Sequence, residues 1–367
     1  MVVRQTLQRT ILNSILILIS RTVFTGCQND PITPGSRGPK WVVFQGPGVP
    51  LLSNVVNDIT VHRNGQVWVA TDSGASYYYH SSWGSINDSL GYLLYSSDHP
   101  PRRSTKVNCI TVGKDGSVWF GLAGGGIKRF FQNNDSRNLW SSYQSPEISF
   151  NVISSLSCEQ VVNGDVWATT LGAGVNRFIP NSADPRIGRW GYYTVQNVPE
   201  LKTNLVRVVR VNEKDQSTWI GTQFSLVAFF GELSGWRSFD IPAPFTSTVY
   251  SIDFDLPKNV WLGKIDGVST YDIDKGVWEH YTSQNTGGVL PVGAVNAVQV
   301  ENTTIRWFGS TAGIVKMSDT TWSIFNKKSV PELPGDTITA LAIDRKGNLW
   351  IGTTNGIVVY NENGTIL

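Results

Sequence analysis

The sequence predicts an all-β fold, a seven-bladed β-propeller with four-stranded blades, on three observations. A Trp-centred strand recurs seven times along 367 residues. The 14 tryptophans divide into two per repeat. The composition has 36 Gly, 17 Pro, 2 Met and only 16% charged residues, which is poor in helix formers and unlike a disordered chain.

The second strand of each blade carries the first tryptophan. It reads Val67-Trp68-Val69-Ala70-Thr71, Val118-Trp119-Phe120-Gly121, Val166-Trp167-Ala168-Thr169 and Thr218-Trp219-Ile220-Gly221, then Val260-Trp261-Leu262-Gly263, Arg306-Trp307-Phe308-Gly309 and Leu349-Trp350-Ile351-Gly352. Successive tryptophans stand 51, 48, 52, 42, 46 and 43 residues apart, which is the span of one propeller blade. Upstream lies an apolar-alternating strand such as Val56–Val61 or Ile338–Ile343. Asn64-Gly65, Asp115-Gly116, Asn163-Gly164 and Lys346-Gly347 supply the tight hairpin between the two. The small residue two past each first Trp is expected to make room for an aromatic of the neighbouring blade.

A third strand places Tyr78, Phe130, Phe178, Phe229, Tyr271, Met317 or Tyr360 ten or eleven residues past the Trp. The fourth carries the second tryptophan: Trp83, Trp140, Trp190, Trp236, Trp278 or Trp322. The seventh copy is displaced to Trp41-Val42-Val43-Phe44. If that segment pairs with the last blade's third strand, the ring closes and few edges stay open. These aromatics read as blade core, not as a carbohydrate platform.

Three segments are expected: a lipoprotein signal peptide over 1–26, a flexible tether over 27–39, and the propeller over 40–367. Arg4 and Arg9 precede an apolar run, Ile11–Ile19, too short to span a bilayer, and Phe24-Thr25-Gly26-Cys27 follows. Small residues ahead of a Cys at that place resemble a bacterial lipobox, which makes Cys27 the lipidated residue. The membrane would then be reached through the lipid anchor alone. Setting aside the three arginines of this acid-free leader, 27 basic residues face 28 acidic ones, against electrostatic nucleic-acid binding. Cys109 and Cys158 fall on neighbouring innermost strands and are expected as buried free thiols.

The repeat D-x-x-G-x-[LV]-W-[IVF]-G-T-x-x-G-[IL]-x-x-[YF], clearest in Asp344–Tyr360, resembles the two-component regulator propeller repeat. The resemblance covers all seven blades. It implies kinship with the periplasmic sensor halves of hybrid histidine kinases common in Bacteroidetes, some of which respond to glycan fragments. This sequence shows one propeller, with no transmembrane helix or kinase. What the resemblance implies here is a free-standing, monomeric envelope lipoprotein of a Gram-negative cell. A second resemblance is to the streptogramin lyases, whose His and Glu cluster with a divalent metal at the channel mouth. Here His62, His80, His99 and His280 do not converge near the axis, so no catalytic set, metal or cofactor is expected.

Binding residues are therefore sought where loops depart from the repeat. The loop after Trp83 is the longest of its kind and offers Tyr92, Tyr95, His99, Arg102 and Arg103, suited to an acidic sugar or a carboxylate. In blade four, Gln223-Phe224-Ser225 replaces the glycine turn and sets Phe224 beside the channel. Lys264, Asp266 and Asn355 occupy equivalent turns and complete a polar rim. The expected partner is an oligosaccharide or other small ligand, or else an envelope protein. A metal-dependent lyase and a structural subunit of an envelope complex are the alternatives. The insertions at 133–138 and 180–189 join third to fourth strands on the opposite face.

Overall fold

The computed structural model describes residues 38–46, 51–86, 106–132, 138–255 and 258–367. The leader, Cys27, the tether up to residue 37, and Tyr92, Tyr95, His99, Arg102 and Arg103 lie outside the described residues. Among those described, 28 strands form seven four-stranded antiparallel sheets, with one 3-10 turn at Pro199–Leu201. The innermost strands are Val56–Val61, Val107–Val112, Ile153–Cys158, Val208–Val211, Val249–Asp255, Val295–Val300 and Ile338–Ile343. Each sheet runs outward in chain order except the last, which ends on Trp41–Phe44 paired to Gly356–Tyr360. The fold is the predicted seven-bladed propeller, closed by the displaced N-terminal strand.

The blades are held together by aromatic wedges. Trp119 of blade two is 1% exposed and meets Phe178 and Trp190 of blade three at ring-centroid distances of 5.2 and 6.4 Å. The same relation joins Trp350 of blade seven to Tyr78 and Trp83 of blade one, at 5.4 and 6.3 Å. A buried indole N–H needs an acceptor, and in blades two and seven the hairpin acid supplies one, directly or through a serine. Trp350 donates directly to Asp344 at 2.8 Å, while Trp119 donates to Ser117, whose hydroxyl donates to Asp115. The hairpin glycines Gly116 and Gly347 sit at φ +83° and +75°, where a side chain would be strained.

One expectation is corrected. The small residue two past the first Trp does not face an aromatic. A Cβ on Gly121 would come within 2.7 Å of Ile153, and on Gly352 within 2.5 Å of Val56. Gly221 and Gly309 stand in the same relation to Val249 and Ile338. The space is filled by the first residue of the next blade's innermost strand, because the blades converge most tightly toward the axis. Cys109 and Cys158 are buried free thiols, as expected.

Side chains of the innermost strands also stitch each blade to the next. Asn57, Asn108, Ser154 and Asn296, each at the strand's second position, donate to Val107, Ile153, Val206 and Ile338 carbonyls at 2.8–2.9 Å. Deeper in the channel, Asp58 accepts from the Ile110 N–H at 2.9 Å and Asp253 from Val300 at 2.7 Å. Six blades carry a register shift after the first residue of the innermost strand. Blade four carries none: its pairing begins cleanly at Val208 opposite Gly221.

Candidate functional site

The upper face carries the turns between second and third strands and the loops that lead into each next innermost strand. Backbone hydrogen bonds tie these segments into a collar: Val206 to Thr170, Val249 to Thr222, Ile265 to Thr248 and Thr311 to Ala294. Inside the collar opens a cavity of about 180 Å³, lined by the innermost strands of all seven blades.

Its mouth is set by the second position of those strands, Asn57, Asn108, Ser154, Tyr250, Asn296 and Thr339, and in blade four by Arg207, the residue just ahead of Val208–Val211. Four of these hold the neighbouring blade, as described above. Blades four and five break the pattern with two bulky residues. The Arg207 guanidinium lies over the Tyr250 ring, 5.4 Å from its centroid. Among the described residues, neither the Arg207 guanidinium nor the Tyr250 hydroxyl has a hydrogen-bond partner, so both keep their capacity for a ligand. Around them Leu205, Phe224 and Ile265 are 53%, 47% and 49% exposed, and Phe150 and Val292 continue the apolar arc.

Below the mouth the charges are committed to the wall. Burial pushes the Asp58 carboxyl up to about 6, against the pull of the Ile110 and Ile59 N–H groups and of Arg210. Burial also raises Asp253, whose carboxylate lies 3.5 Å from the Arg210 guanidinium. Among the described residues, no three His, Cys, Asp or Glu side chains stand together as a metal site.

The turn residues nominated from sequence fare differently from one another. Phe224, in the blade-four turn, is exposed. Lys264 does not join the rim: it is buried, and its amine donates to the Phe245 carbonyl at 2.6 Å, Asp266 at 3.1 Å and Ser247 at 3.2 Å. All three N–H bonds of the ammonium are thus used, and burial lowers its pKa. Asp266 also accepts from Ser247 at 2.5 Å, so it is held by the same pin. Asn355 lies two blades away and donates to the Pro334 carbonyl at 3.0 Å.

The outermost-strand His280 packs under this pin. Its ring stacks on Phe245 at 3.9 Å and its Nδ1 lies 2.8 Å from Ser269. Burial, helped by the Lys264 charge, lowers its pKa to about 4. It is a packed neutral ring away from the axis. Sequence reasoning missed Arg207, Tyr250, Leu205 and Ile265. Aligning the seven repeats at the position of Asn57 would have exposed the first two.

The sequence comparison finds the two component regulator propeller family at residues 332–355. No curated protein is similar in sequence. Among solved structures, the extracellular domain of a hybrid two component system of B. thetaiotaomicron is 18% identical, with a TM-score of 0.65 over 87% of this chain and 42% of that one. A second such domain from the same organism is 16% identical, with a TM-score of 0.66 over 90% and 40%. The chain therefore spans about two fifths of the length of those domains. A streptogramin B lyase is 15% identical, with a TM-score of 0.64 over 88% and 97%. PorZ, a surface component of the type-IX secretion system of Porphyromonas gingivalis, is also 15% identical, at 0.63 over 87% and 47%. At these identities the likeness is one of fold. No described helix is long and apolar enough to cross a membrane. The chain is thus a seven-bladed propeller whose seventh blade matches the two component regulator propeller repeat and whose fold is that of the extracellular domains of such regulators.

Proposed function

We propose that this chain is a non-enzymatic, extracytoplasmic binding module, lipid-anchored through Cys27, whose upper mouth captures a ligand at blades four and five. The observation that carries the reading is the Arg207–Tyr250 pair, polar capacity left open beside exposed Leu205, Phe224 and Ile265. A guanidinium presented edge-on recognises a carboxylate, and aromatic faces stack on sugar rings. The favoured ligand is an acidic oligosaccharide.

The second reading is an envelope protein partner. It draws on the continuation of the apolar arc through Phe150 and Val292, which is wider than a short oligosaccharide needs. A lyase would need an acid–base or metal-binding set at the channel, and the described carboxylates there, Asp58 and Asp253, are engaged in stitching the blades.

The test is a panel of acidic and neutral oligosaccharides titrated against the wild type and against Arg207→Ala and Tyr250→Ala. Loss of an anchor of this kind typically costs about 2 kcal/mol, roughly thirtyfold in affinity. Pull-down from envelope extracts addresses the protein partner. Wild-type affinity in both variants, for a ligand the propeller does bind, would remove the mouth from consideration.

A further inference from the structure

A second cavity lies on the opposite, lower face, at the junction of blades two and three. It measures about 560 Å³, within the roughly 300–1,000 Å³ typical of small-molecule pockets. The hairpin turns at Gly113–Asp115 and Val162–Gly164 form two sides. The third comes from Ile179 and Pro180 at the end of blade three's third strand and from Asn181, Ser182 and Pro185 in the insertion that follows it.

The floor of this groove is unlike a core. Its polar centre is Arg129, whose side chain is only 4% exposed and whose guanidinium lies 4.7 Å from the Trp119 ring centroid and 5.7 Å from that of Phe178. The guanidinium carries five N–H bonds. Three are used: Nε donates to Ser117 at 3.0 Å, Nη1 to the Arg186 carbonyl at 3.1 Å, and Nη2 to Asp115. One N–H on each terminal nitrogen is left over.

A second cation stands at the rim. Lys114 donates to the Val161 and Val162 carbonyls at 2.7 and 2.6 Å, leaving the third N–H of its ammonium free. Among the groove's own lining residues, two cations therefore face one acid, Asp115, while the neighbouring Asp184, which also feels the Arg129 charge, is paired with the Arg186 guanidinium at 2.8 Å. Glu159 lies behind the Val162–Gly164 turn and accepts three of its backbone N–H groups, so its carboxylate is already engaged. Elsewhere the walls are apolar: Val162, Ile179, Pro180 and Pro185, with Val161 and Ile187 exposed beside them.

We infer that this groove is a second ligand site, for a small amphipathic carboxylate whose ring or branched aliphatic body lies between the proline wall and Val162. Its carboxylate takes the unused N–H groups of Arg129 and Lys114. An apolar ligand without a charge leaves those donors unanswered, and a polar anion without a body leaves the walls wet. The site is independent of the upper-mouth reading, since the two lie on opposite faces and share no residue.

Indole-3-acetate, with indole-3-acetamide as its neutral counterpart, is titrated calorimetrically against the full chain. Saturable binding of the acid is expected, with the amide weaker by about tenfold, as the loss of a charge-assisted bond predicts. Lys114→Met should weaken the acid several-fold. Ser182→Trp, an exposed position that lines the groove, should abolish binding while the melting temperature stays at the wild-type value. Arg207→Ala should leave binding unchanged, which separates this site from the upper one. Equal affinity for acid and amide, undiminished binding in folded Ser182→Trp, or no saturation at millimolar acid would each overturn the assignment.

Discussion

Trp41, in the first strand, and Tyr360, in the last, stand opposite one another in the closing sheet, their ring centroids 4.3 Å apart. Around them the two ends of the propeller are knotted by backbone hydrogen bonds. Gly38 donates to Thr365 at 2.7 Å, Thr365 to Pro39 at 3.1 Å, and Asn361 to Lys40 at 3.0 Å. Phe44 reaches onward to Trp83 of blade one at 5.2 Å, so the closing strand also joins blade seven to blade one.

Deletion of residues 40–46 should therefore unfold or aggregate the ring. It removes Trp41 and Phe44, both half-buried, and bares the edge of Gly356–Tyr360. Truncating one such aromatic costs about 3 kcal/mol, against a domain stability of about 5–15 kcal/mol. Removal of residues 28–36 should be silent. Thermal melting and size-exclusion chromatography decide; an unchanged melting temperature after loss of 40–46 would refute the closure.

Asp58 should make the protein less stable as pH rises. Its carboxyl titrates near 6 in the fold against an ordinary value of 3.8, so the folded state holds the proton more tightly. The stabilisation is complete below the unfolded value and is lost as pH climbs through about 6, to a ceiling of about 3 kcal/mol. Asp58→Asn removes the charge and retains an acceptor. The melting-temperature difference, variant minus wild type, should be more positive near pH ~7.5 than near pH ~4. A constant difference would show that Asp58 ionises normally.

Lys264→Met tests whether the blade-five pin is structural. The substitution strands the Phe245 carbonyl and takes from Asp266 a cation 3.1 Å away. Because Asp266 is partly exposed and can return to water, the expected cost is about 1–3 kcal/mol by chemical denaturation. A rim lysine would instead change stability by less than about 0.5 kcal/mol.

The long loop after Trp83 is compared with the mouth by replacing Tyr92, Tyr95, Arg102 and Arg103 with Ala. The fold should survive, since no repeat position changes and each surface substitution is usually worth about 0.5 kcal/mol or less. Trp119→Ala, by contrast, should unfold the domain, because that indole is 1% exposed and wedged between two blades. Once a ligand is identified, a loss of affinity in the loop variant that exceeds that of Arg207→Ala would move the site onto the loop.

The architecture was legible in the chain because a blade is a local object. Each hairpin joins strands adjacent in sequence, so the Trp, Gly and turn acids recur at a readable period, and even the displaced Trp41 copy is found by counting. What the tertiary structure decided is how blades meet. A side chain's neighbour across the blade interface lies a large part of a repeat or more away, fifty residues from Asn57 to Val107 and 32 from Gly121 to Ile153. No period within one repeat says whether Lys264 points out to a ligand or inward to Phe245, since its acceptors come from a loop of irregular length. Nor does the repeat announce that Arg207 lies over Tyr250, because that contact needs two adjacent innermost strands to converge at the axis. Strand order and register follow from local alternation and turn chemistry; the free donors of the site follow from which side chains the ring's own closure leaves without partners.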